Sequence, residues 1–283
     1  MNTHLIIQGG EVATPDLKQL AKLVRAARIE AITQQAFRLI GADAQARDAV
    51  ARYCASAQLD FGFVPENRRL AGFGLATMDM DSTLITIECI DEIADLQGLK
   101  PQVSAITAAA MRGEIDFSES LRRRVALLQE APESALEKVY RERLKLSPGA
   151  EILLAHLKAA GVRTLLVSGG FTYYTERLKT RLGFDYSAAN VLEVRDGVLT
   201  GNLLGKVIDA DGKAAWLERI RSELGLGREQ VIAIGDGAND AQMLAAAGVS
   251  IAYRAKPIVQ ERTDYAINYC GLDAILNLLD SRA

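Results

Sequence analysis

Histidine and cysteine, which carry much enzyme chemistry, are scarce in this chain. Among 283 residues only His4 and His156 are present, the first near the N-terminus and the second in a helical pattern with no partner motif. So few histidines, in these positions, argue against Ser-His-Asp or Cys-His catalysis and against a multi-histidine metal site. Cys54, Cys89 and Cys270 are widely spaced and form no CxxC pair, which favours free thiols. Carboxylates must therefore carry any catalytic chemistry.

Long apolar runs and basic clusters are also lacking. No stretch approaches the roughly 18 to 20 apolar residues of a membrane span, and the first residues lack the features of a secretory signal. The net charge is −3 and basic residues are scattered apart from Arg122-Arg123-Arg124, which argues against nucleic-acid binding. We expect a cytoplasmic protein that binds neither membrane nor nucleic acid.

The order of strand and helix patterns predicts an α/β fold. Residues 1–70 alternate short strands with amphipathic helices and indicate a small α+β N-terminal domain, in which 29–40 is one strand. Residues 71–283 are predicted to form a Rossmann-like parallel sheet with helices on both faces, with a helical cap inserted at 85–147. A hairpin with a type I′ turn is expected at Asp196-Gly197.

Three predicted strands end in polar motifs, namely ATMDMDST, LLVSGG and IAIGDGAND. Ligands bind at the carboxyl ends of strands in an open parallel sheet, so neighbouring strands would bring these motifs into one crevice. The first motif supplies Asp79 and Asp81, and the third supplies Asp236 and Asp240. The second offers a hydroxyl and two glycine amides suited to an anion. Four carboxylates beside an anion loop predict a site for Mg²⁺ and a phosphate oxygen.

The two aspartates of the first motif have a chemical use. Asp79 could attack phosphorus and form an aspartyl-phosphate, while Asp81 gives a proton to the leaving oxygen and later takes one from water. That role needs a raised pKa for Asp81, because a reference aspartate titrates near pH ~3.9. Lys213 could neutralise the phosphoryl charge. Taken alone, each feature has an ordinary interpretation: a solvated turn for DxD, a strand-to-helix turn for SGG, and a surface lysine.

Taken together, MDMDST, LLVSGG, Lys213 and GDGANDAQML resemble the motif set of the haloacid dehalogenase-like phosphohydrolases. DMDSTLITIECIDEIA and AMRGEIDFSESLRRRVALL further resemble the phosphoserine phosphatases of that superfamily, and the similarity covers roughly residues 75–270. The resemblance implies Mg²⁺-dependent hydrolysis of O-phospho-L-serine to L-serine and phosphate through an aspartyl-phosphate. This reaction is the last step of serine biosynthesis.

The resemblance also implies a role for each site residue. Asp79 would be the nucleophile and a metal ligand, Asp81 the acid/base and a ligand through its backbone carbonyl, and Asp236 the remaining protein ligand. Phosphate would be bound by Ser168, Gly169 and Lys213, with Asn239 close by and Gly170 and Asp240 in support. Glu88 and Arg124 would recognise the substrate's amino and carboxylate groups. Met111 and Phe117 would form walls of the pocket.

Some alternatives stay open. The β-α-β-α-β order of residues 1–70 resembles the ACT-like modules that precede some phosphoserine phosphatases, and its shortness suggests truncation. This segment has no ligand motif, and a structural or dimerising role, giving a homodimer, is as open as serine sensing. The same scaffold could serve a phosphotransferase or a phosphatase for another small phosphoester. A receiver-like phospho-acceptor or amino-acid-binding regulator is the non-enzymatic alternative.

Overall fold

Two β-sheets organise the chain, of which the computed structural model describes residues 3–279. One sheet has four strands and the other has seven. Within the described part of the chain, no helix is both long and apolar enough to cross a membrane.

The four-stranded sheet comes from the N-terminal part of the chain. Its strands are β1 (Thr3–Gln8), β2 (Arg28–Ala31), β3 (Ala36–Ile40) and β4 (Asp60–Pro65), joined by helices α1 (Thr14–Leu23) and α2 (Arg47–Ala57). The strand order is β2-β3-β1-β4, and every pair is antiparallel. The β-α-β-β-α-β sequence is a split β-α-β arrangement. The ACT-like character of this segment, and a domain boundary at residue 70, stay predictions.

The single strand predicted at 29–40 is wrong, because this segment forms a hairpin. β2 and β3 pair in register, with Ile29 opposite Leu39. The polar residues between them interrupt the alternating pattern and fold into the turn, where the Gln35 main-chain N–H donates to Thr33 Oγ1 at 3.1 Å. The Gln35 side chain donates to the Gly10 carbonyl at 2.7 Å, which ties the turn to the loop after β1.

The seven-stranded sheet confirms the predicted α/β fold. It contains β5 (Leu75–Met78), β6 (Arg163–Phe171), β7 (Tyr186–Arg195), β8 (Val198–Leu204), β9 (Val231–Gly235), β10 (Val249–Tyr253) and β11 (Tyr265–Ile267). The order is β11-β10-β9-β5-β6-β7-β8, parallel except for the β7–β8 pair. Asp196 and Gly197 join that pair with φ of 51° and 79°, as a type I′ turn requires.

Apolar side chains fill both faces of this sheet. Successive residues of a strand point to opposite faces, so Leu166 lies in one buried cluster with Leu153 and Tyr174, while Leu165 lies in another with Leu217. The helices that contribute to these two clusters run between or after the strands: α7 (Ala150–Ala159), α8 (Thr172–Leu182), α9 (Ala210–Glu223), α10 (Ala241–Ala246), α11 (Pro257–Gln260) and α12 (Ile275–Leu278). Helices on both faces leave the strand ends open.

The segment between β5 and α7 is helical, as its pattern indicated. It contains α3 (Cys89–Leu96), α4 (Lys100–Met111), α5 (Phe117–Ala126) and α6 (Ser134–Lys138), the last continuing into a wider turn at Val139–Arg143. The Asp116 side chain caps α5 by accepting the Glu119 N–H at 2.7 Å. A tight turn, Met80–Leu84, links β5 to this segment, with Ser82 in the left-handed region at φ 57°.

The smaller sheet packs closely against residues 265–278. Asp60, which is 2% exposed, accepts main-chain N–H groups from Asn268 at 2.7 Å, Tyr269 at 3.1 Å and Cys270 at 2.9 Å. A Cβ at Gly62 would lie 2.6 Å from a Leu278 methyl carbon, so β4 needs glycine there for close contact. This buried carboxylate and tight packing join the two sheets into one structural unit.

Candidate active site

Three strand ends meet at one edge of the large sheet. β5 lies between β9 and β6, so Asp79 after β5 stands between Ser168 on β6 and Asp236 after β9. They line a cavity of about 760 Å³ together with Asp81 and other predicted site residues, which are Glu88, Met111, Phe117, Arg124, Gly169, Gly170 and Asn239. Lys213 and Asp240 are fully buried beneath this surface. The structure therefore brings all thirteen candidate residues together.

Asp79 is buried and paired with a buried lysine. Lys213 Nζ donates to Asp79 Oδ1 and to Asp240 Oδ1, the second at 2.7 Å. Burial raises the pKa of Asp79 well above its ordinary value, the Asp240 charge raises it further, and only Lys213 among the nearest charges lowers it. Burial alone would lower the pKa of Lys213, but the two carboxylates raise it above its ordinary value. Lys213 is therefore a single positive charge between two carboxyl groups, those of Asp79 and Asp240.

Asp240 has both carboxylate oxygens engaged. Oδ1 accepts from Lys213, and Oδ2 accepts the main-chain N–H groups of Asp236 at 3.1 Å and Gly237 at 3.0 Å. These bonds fix the loop after β9 and hold the Asp236 backbone in place. Asp240 therefore acts as a structural support for its neighbours.

The Asp236 carboxylate makes fewer hydrogen bonds than that of Asp240. Its Oδ1 accepts the Thr83 hydroxyl at 2.9 Å. Burial and the Asp240 charge raise the pKa of Asp236 to about 6, although the Thr83 hydrogen bond opposes this shift. One carboxylate oxygen each of Asp79, Asp236 and Asp240 lies within 4.8 Å of the others. An all-oxygen set of carboxylates, two of them buried and one partly exposed, fits a hard divalent cation.

Asp81 is held from two sides. Its Oδ1 accepts the Cys89 main-chain N–H at 2.9 Å, and its Oδ2 accepts the Ser168 hydroxyl at 3.2 Å. Burial raises the pKa of Asp81 above its ordinary value, and the hydrogen bonds from Cys89 and Ser168 oppose this rise only in part. A raised pKa favours the protonated form of the carboxyl group, which is the form that a general acid needs.

The two glycines after Ser168 are required by side chains that approach them. A Cβ at Gly170 would lie 2.5 Å from Asp81 Oδ2, and one at Gly169 would lie 2.7 Å from the Phe117 ring. Neither glycine has a positive φ. The Gly170 N–H donates to Ser168 Oγ at 2.8 Å, so one of the two expected amide donors is already engaged.

The helical segment forms the opposite wall of the cavity. The Glu88 carboxylate accepts the Ser82 hydroxyl at 2.6 Å, and burial followed by the Asp81 charge raises the pKa of Glu88 to about 8. Arg124 is buried on α5, where burial lowers its pKa although the charges of Asp91 and Glu88 oppose this shift. One carboxyl group and one guanidinium group therefore face a single cavity.

Comparison with known families decides the class of this site. The model of the haloacid dehalogenase-like hydrolases matches residues 76–245. The chain belongs to the haloacid dehalogenase-like hydrolase family. A second model, described as a domain of unknown function (DUF4072), matches residues 5–50.

Relatives of this hydrolase include proteins named phosphoserine phosphatase. The phosphoserine phosphatase of Polaromonas sp. (strain JS666) is 51% identical over 216 residues, which cover 75% of this chain and 92% of that protein. The structure of a HAD family hydrolase from Salmonella enterica serovar Typhi superposes with a TM-score of 0.90 at 33% identity and covers 99% of both chains. A phospho-aspartyl intermediate analogue of phosphoserine phosphatase gives 0.69 at 42% identity, covering 73% of this chain and 99% of that one.

The motifs did not indicate several contacts in the site of this hydrolase. Thr83 bonds to Asp236, Cys89 bonds to Asp81, and Arg254 and Lys256 line the cavity from the loop after β10. Lys256 Nζ lies 3.8 Å from the Met111 sulfur, so this loop touches the helical wall. The strand-end rule, applied to β10 as well, would have pointed to Arg254 and Lys256.

Proposed function

We propose that this hydrolase cleaves O-phospho-L-serine to L-serine and phosphate as the last step of serine biosynthesis. One observation carries the proposal: Glu88 and Arg124 face the same cavity as Asp79, Asp81 and the β6 end. Free phosphoserine has an ammonium, a carboxylate and a phosphate. The ammonium would favour the ionised form of Glu88, Arg124 suits the carboxylate, and the β6 end suits the phosphate. The named relatives support the same substrate.

The chain's own residues suffice to assign both half-reactions. Asp79 attacks phosphorus, the bond from phosphorus to the serine oxygen breaks, and Asp81 gives its proton to that oxygen. Asp81, now a carboxylate, then takes a proton from water as the water oxygen attacks phosphorus. The Asp79–phosphorus bond breaks and phosphate leaves. Ser168, Gly169 and Lys213 hold the phosphoryl oxygens, with Asn239 at the edge of the site.

Mg²⁺ is the proposed cofactor, held by Asp79, Asp236 and the Asp81 backbone carbonyl. When bound, it offsets the repulsion between a carboxylate nucleophile and a phosphate. The cluster of Asp79, Asp236 and Asp240 supports this proposal, because one carboxylate oxygen of each lies within 4.8 Å of the others. A cytoplasmic location is proposed from the three free cysteines. A homodimer formed through residues 1–70 also stays a prediction.

The direct test measures phosphate release from O-phospho-L-serine, with O-phosphothreonine and phosphocholine as competing substrates. We expect hydrolysis of phosphoserine in Mg²⁺, loss of turnover in excess chelator, and recovery when Mg²⁺ is restored. Preference for another ester would contradict the substrate, and full activity in chelator would contradict the metal. A stable phosphoprotein without turnover would favour the receiver-like alternative.

Removing either amino-acid-binding group should weaken substrate binding. A hydrogen bond to a charged group contributes about 1.5–3 kcal/mol, so Glu88→Gln and Arg124→Ala should raise KM for phosphoserine by about ten- to a hundredfold. The matched control is Arg123→Ala, because Arg123 is the next residue on α5 but is exposed and paired with Glu119. An unchanged KM in the Arg124 variant would remove that residue from the substrate site.

A further inference from the structure

Strand β6 bulges where it carries the predicted phosphate-binding residues. Its ladder with β7 pairs Val167 with Ala188 and, further along, Phe171 with Asn190. Between these two pairs β6 has two more residues than β7, and this bulge contains the Ser-Gly-Gly stretch at 168–170. A bulge takes main-chain groups out of the ladder, and such groups then need other hydrogen-bond partners. Because two glycines leave the backbone many conformations, the shape of the bulge depends on the groups that bond to it.

The buried side chain of Asn190 supplies one of these partners. Asn190 is 3% exposed, and its Nδ2 donates to the Gly169 carbonyl at 2.9 Å. The N–H of the same peptide unit, that of Gly170, donates to Ser168 Oγ at 2.8 Å. Hydrogen bonds therefore hold this peptide unit at both its carbonyl and its N–H, next to the Gly169 N–H that is expected to bind phosphate.

The side-chain amide of Asn190 also holds the start of α9. Its Oδ1 accepts the Ile208 main-chain N–H at 2.7 Å, and its Nδ2 lies 3.4 Å from the Ile208 carbonyl oxygen. Ile208 precedes Asp209, the N-cap of α9, whose side chain accepts the Gly212 N–H at 3.0 Å. Lys213 is the next residue of this helix. One buried amide therefore connects the bulge of β6 with the helix that carries Lys213.

We propose that Asn190 is a positioning residue that sets the distance between the Gly169 N–H and the Lys213 ammonium group. The inference rests on the proposed function, in which these two donors hold the phosphoryl oxygens. Asn190 is not among the residues that line the cavity, so it acts through the main chain. Its contribution should therefore appear in the affinity for phosphate. Binding of the serine part of the substrate, which would contact Glu88 and Arg124, should not depend on it.

The test measures the affinity of the folded protein for inorganic phosphate and for L-serine by calorimetry in Mg²⁺. Asn190→Ala should weaken phosphate binding about five- to tenfold, the effect of losing a hydrogen bond that holds a ligand group in place. L-Serine binding should change less than twofold, because the hydrogen bonds of Asn190 go to β6 and to the segment before α9.

Asn190→Ser is a milder change that keeps the proposal testable if the alanine variant does not fold. Its hydroxyl can bond to one of the two segments but is too short to span both, so phosphate binding should weaken at least about threefold. Equal losses of affinity for phosphate and L-serine would overturn the proposal, as would unchanged phosphate affinity in the folded variants.

Thr164→Val is the matched control for a loss of stability. Thr164 is buried near the opposite end of β6, where its hydroxyl donates to Asp185 Oδ2 at 3.1 Å. Its replacement should lower the melting temperature, as Asn190→Ala should, but leave phosphate affinity within about twofold of wild type. A loss of phosphate affinity in Thr164→Val as large as that in Asn190→Ala would assign the effect to general destabilisation and refute the positioning role.

Failure of the proposed function would give a different result. If the wild-type protein binds phosphate but neither binds L-serine nor hydrolyses O-phospho-L-serine, the proposed substrate is wrong. Weaker phosphate binding in the two Asn190 variants would still support the positioning role, because phosphate alone reports on the Gly169 and Lys213 donors.

Discussion

Asp79→Asn should abolish turnover, with a loss of at least about 10⁴-fold in kcat, as found when an enzyme loses its nucleophile. The amide has nearly the same shape as the carboxylate but cannot attack phosphorus. It also removes a negative charge from the contact with Lys213. Because the substituted side chain fits the same buried space, the fold should be retained. Phosphate release and the melting temperature, measured on the same sample, separate the two effects.

Trapping the intermediate identifies the residue that carries the phosphoryl group. Borohydride reduction of acid-quenched wild-type protein, followed by mass spectrometry, should place the label on Asp79. Asp211→Asn is the matched control, because Asp211 is an exposed aspartate in the first turn of α9. It should keep wild-type turnover. Label on another residue, or an active Asp79→Asn protein, would contradict the nucleophile assignment.

Lys213→Ala should cost both stability and activity. Lys213 is fully buried between Asp79 and Asp240, and its removal leaves two buried carboxylates without their counter-charge. Breaking one partner from a buried ion pair typically costs about 3–5 kcal/mol. We expect a loss of that size in the free energy of unfolding, measured by urea denaturation in the presence of chelator. Lys206→Ala, at an exposed lysine, should change it by less than about 0.5 kcal/mol.

The stability loss in Lys213→Ala should depend on pH. Burial already raises the pKa of Asp79 in the folded state, and removing Lys213 takes away the charge that opposes the rise. A group with a raised folded pKa stabilises below its unfolded pKa, about 3.9, and loses that stability as pH rises through the folded value. The variant should therefore be closest to wild type near pH 4 and fall behind as pH increases. A loss independent of pH would point to packing.

The meeting of Asp79, Ser168 and Asp236 could be predicted from the sequence because a general rule governs strand ends. Three apolar runs each ended in polar residues, and parallel strands place such ends on one edge. The turn at Asp196-Gly197 could be predicted for a similar reason, since few residue pairs suit positive φ at both positions. In both places, a short stretch of sequence was enough for the prediction.

Other contacts form only in the folded chain, and no local pattern reports them. The β2–β3 hairpin looked like one strand because its turn has Thr and Gln instead of Gly or Asn. Position 169 requires glycine because the Phe117 ring, on a helix about fifty positions earlier in the chain, lies against it. Thr83 and Cys89 each contact one aspartate through geometry that only the folded turn creates.

The buried contact between Asp60 and the 268–270 segment limits how the chain can be shortened. A phosphatase trimmed to residues 71–283 would keep every proposed catalytic group. It would nevertheless leave three main-chain N–H groups without their carboxylate and expose the apolar side chains that pack on Gly62. The segment before residue 70 therefore shields β11, α12 and the residues between them from solvent, and its removal should weaken their packing.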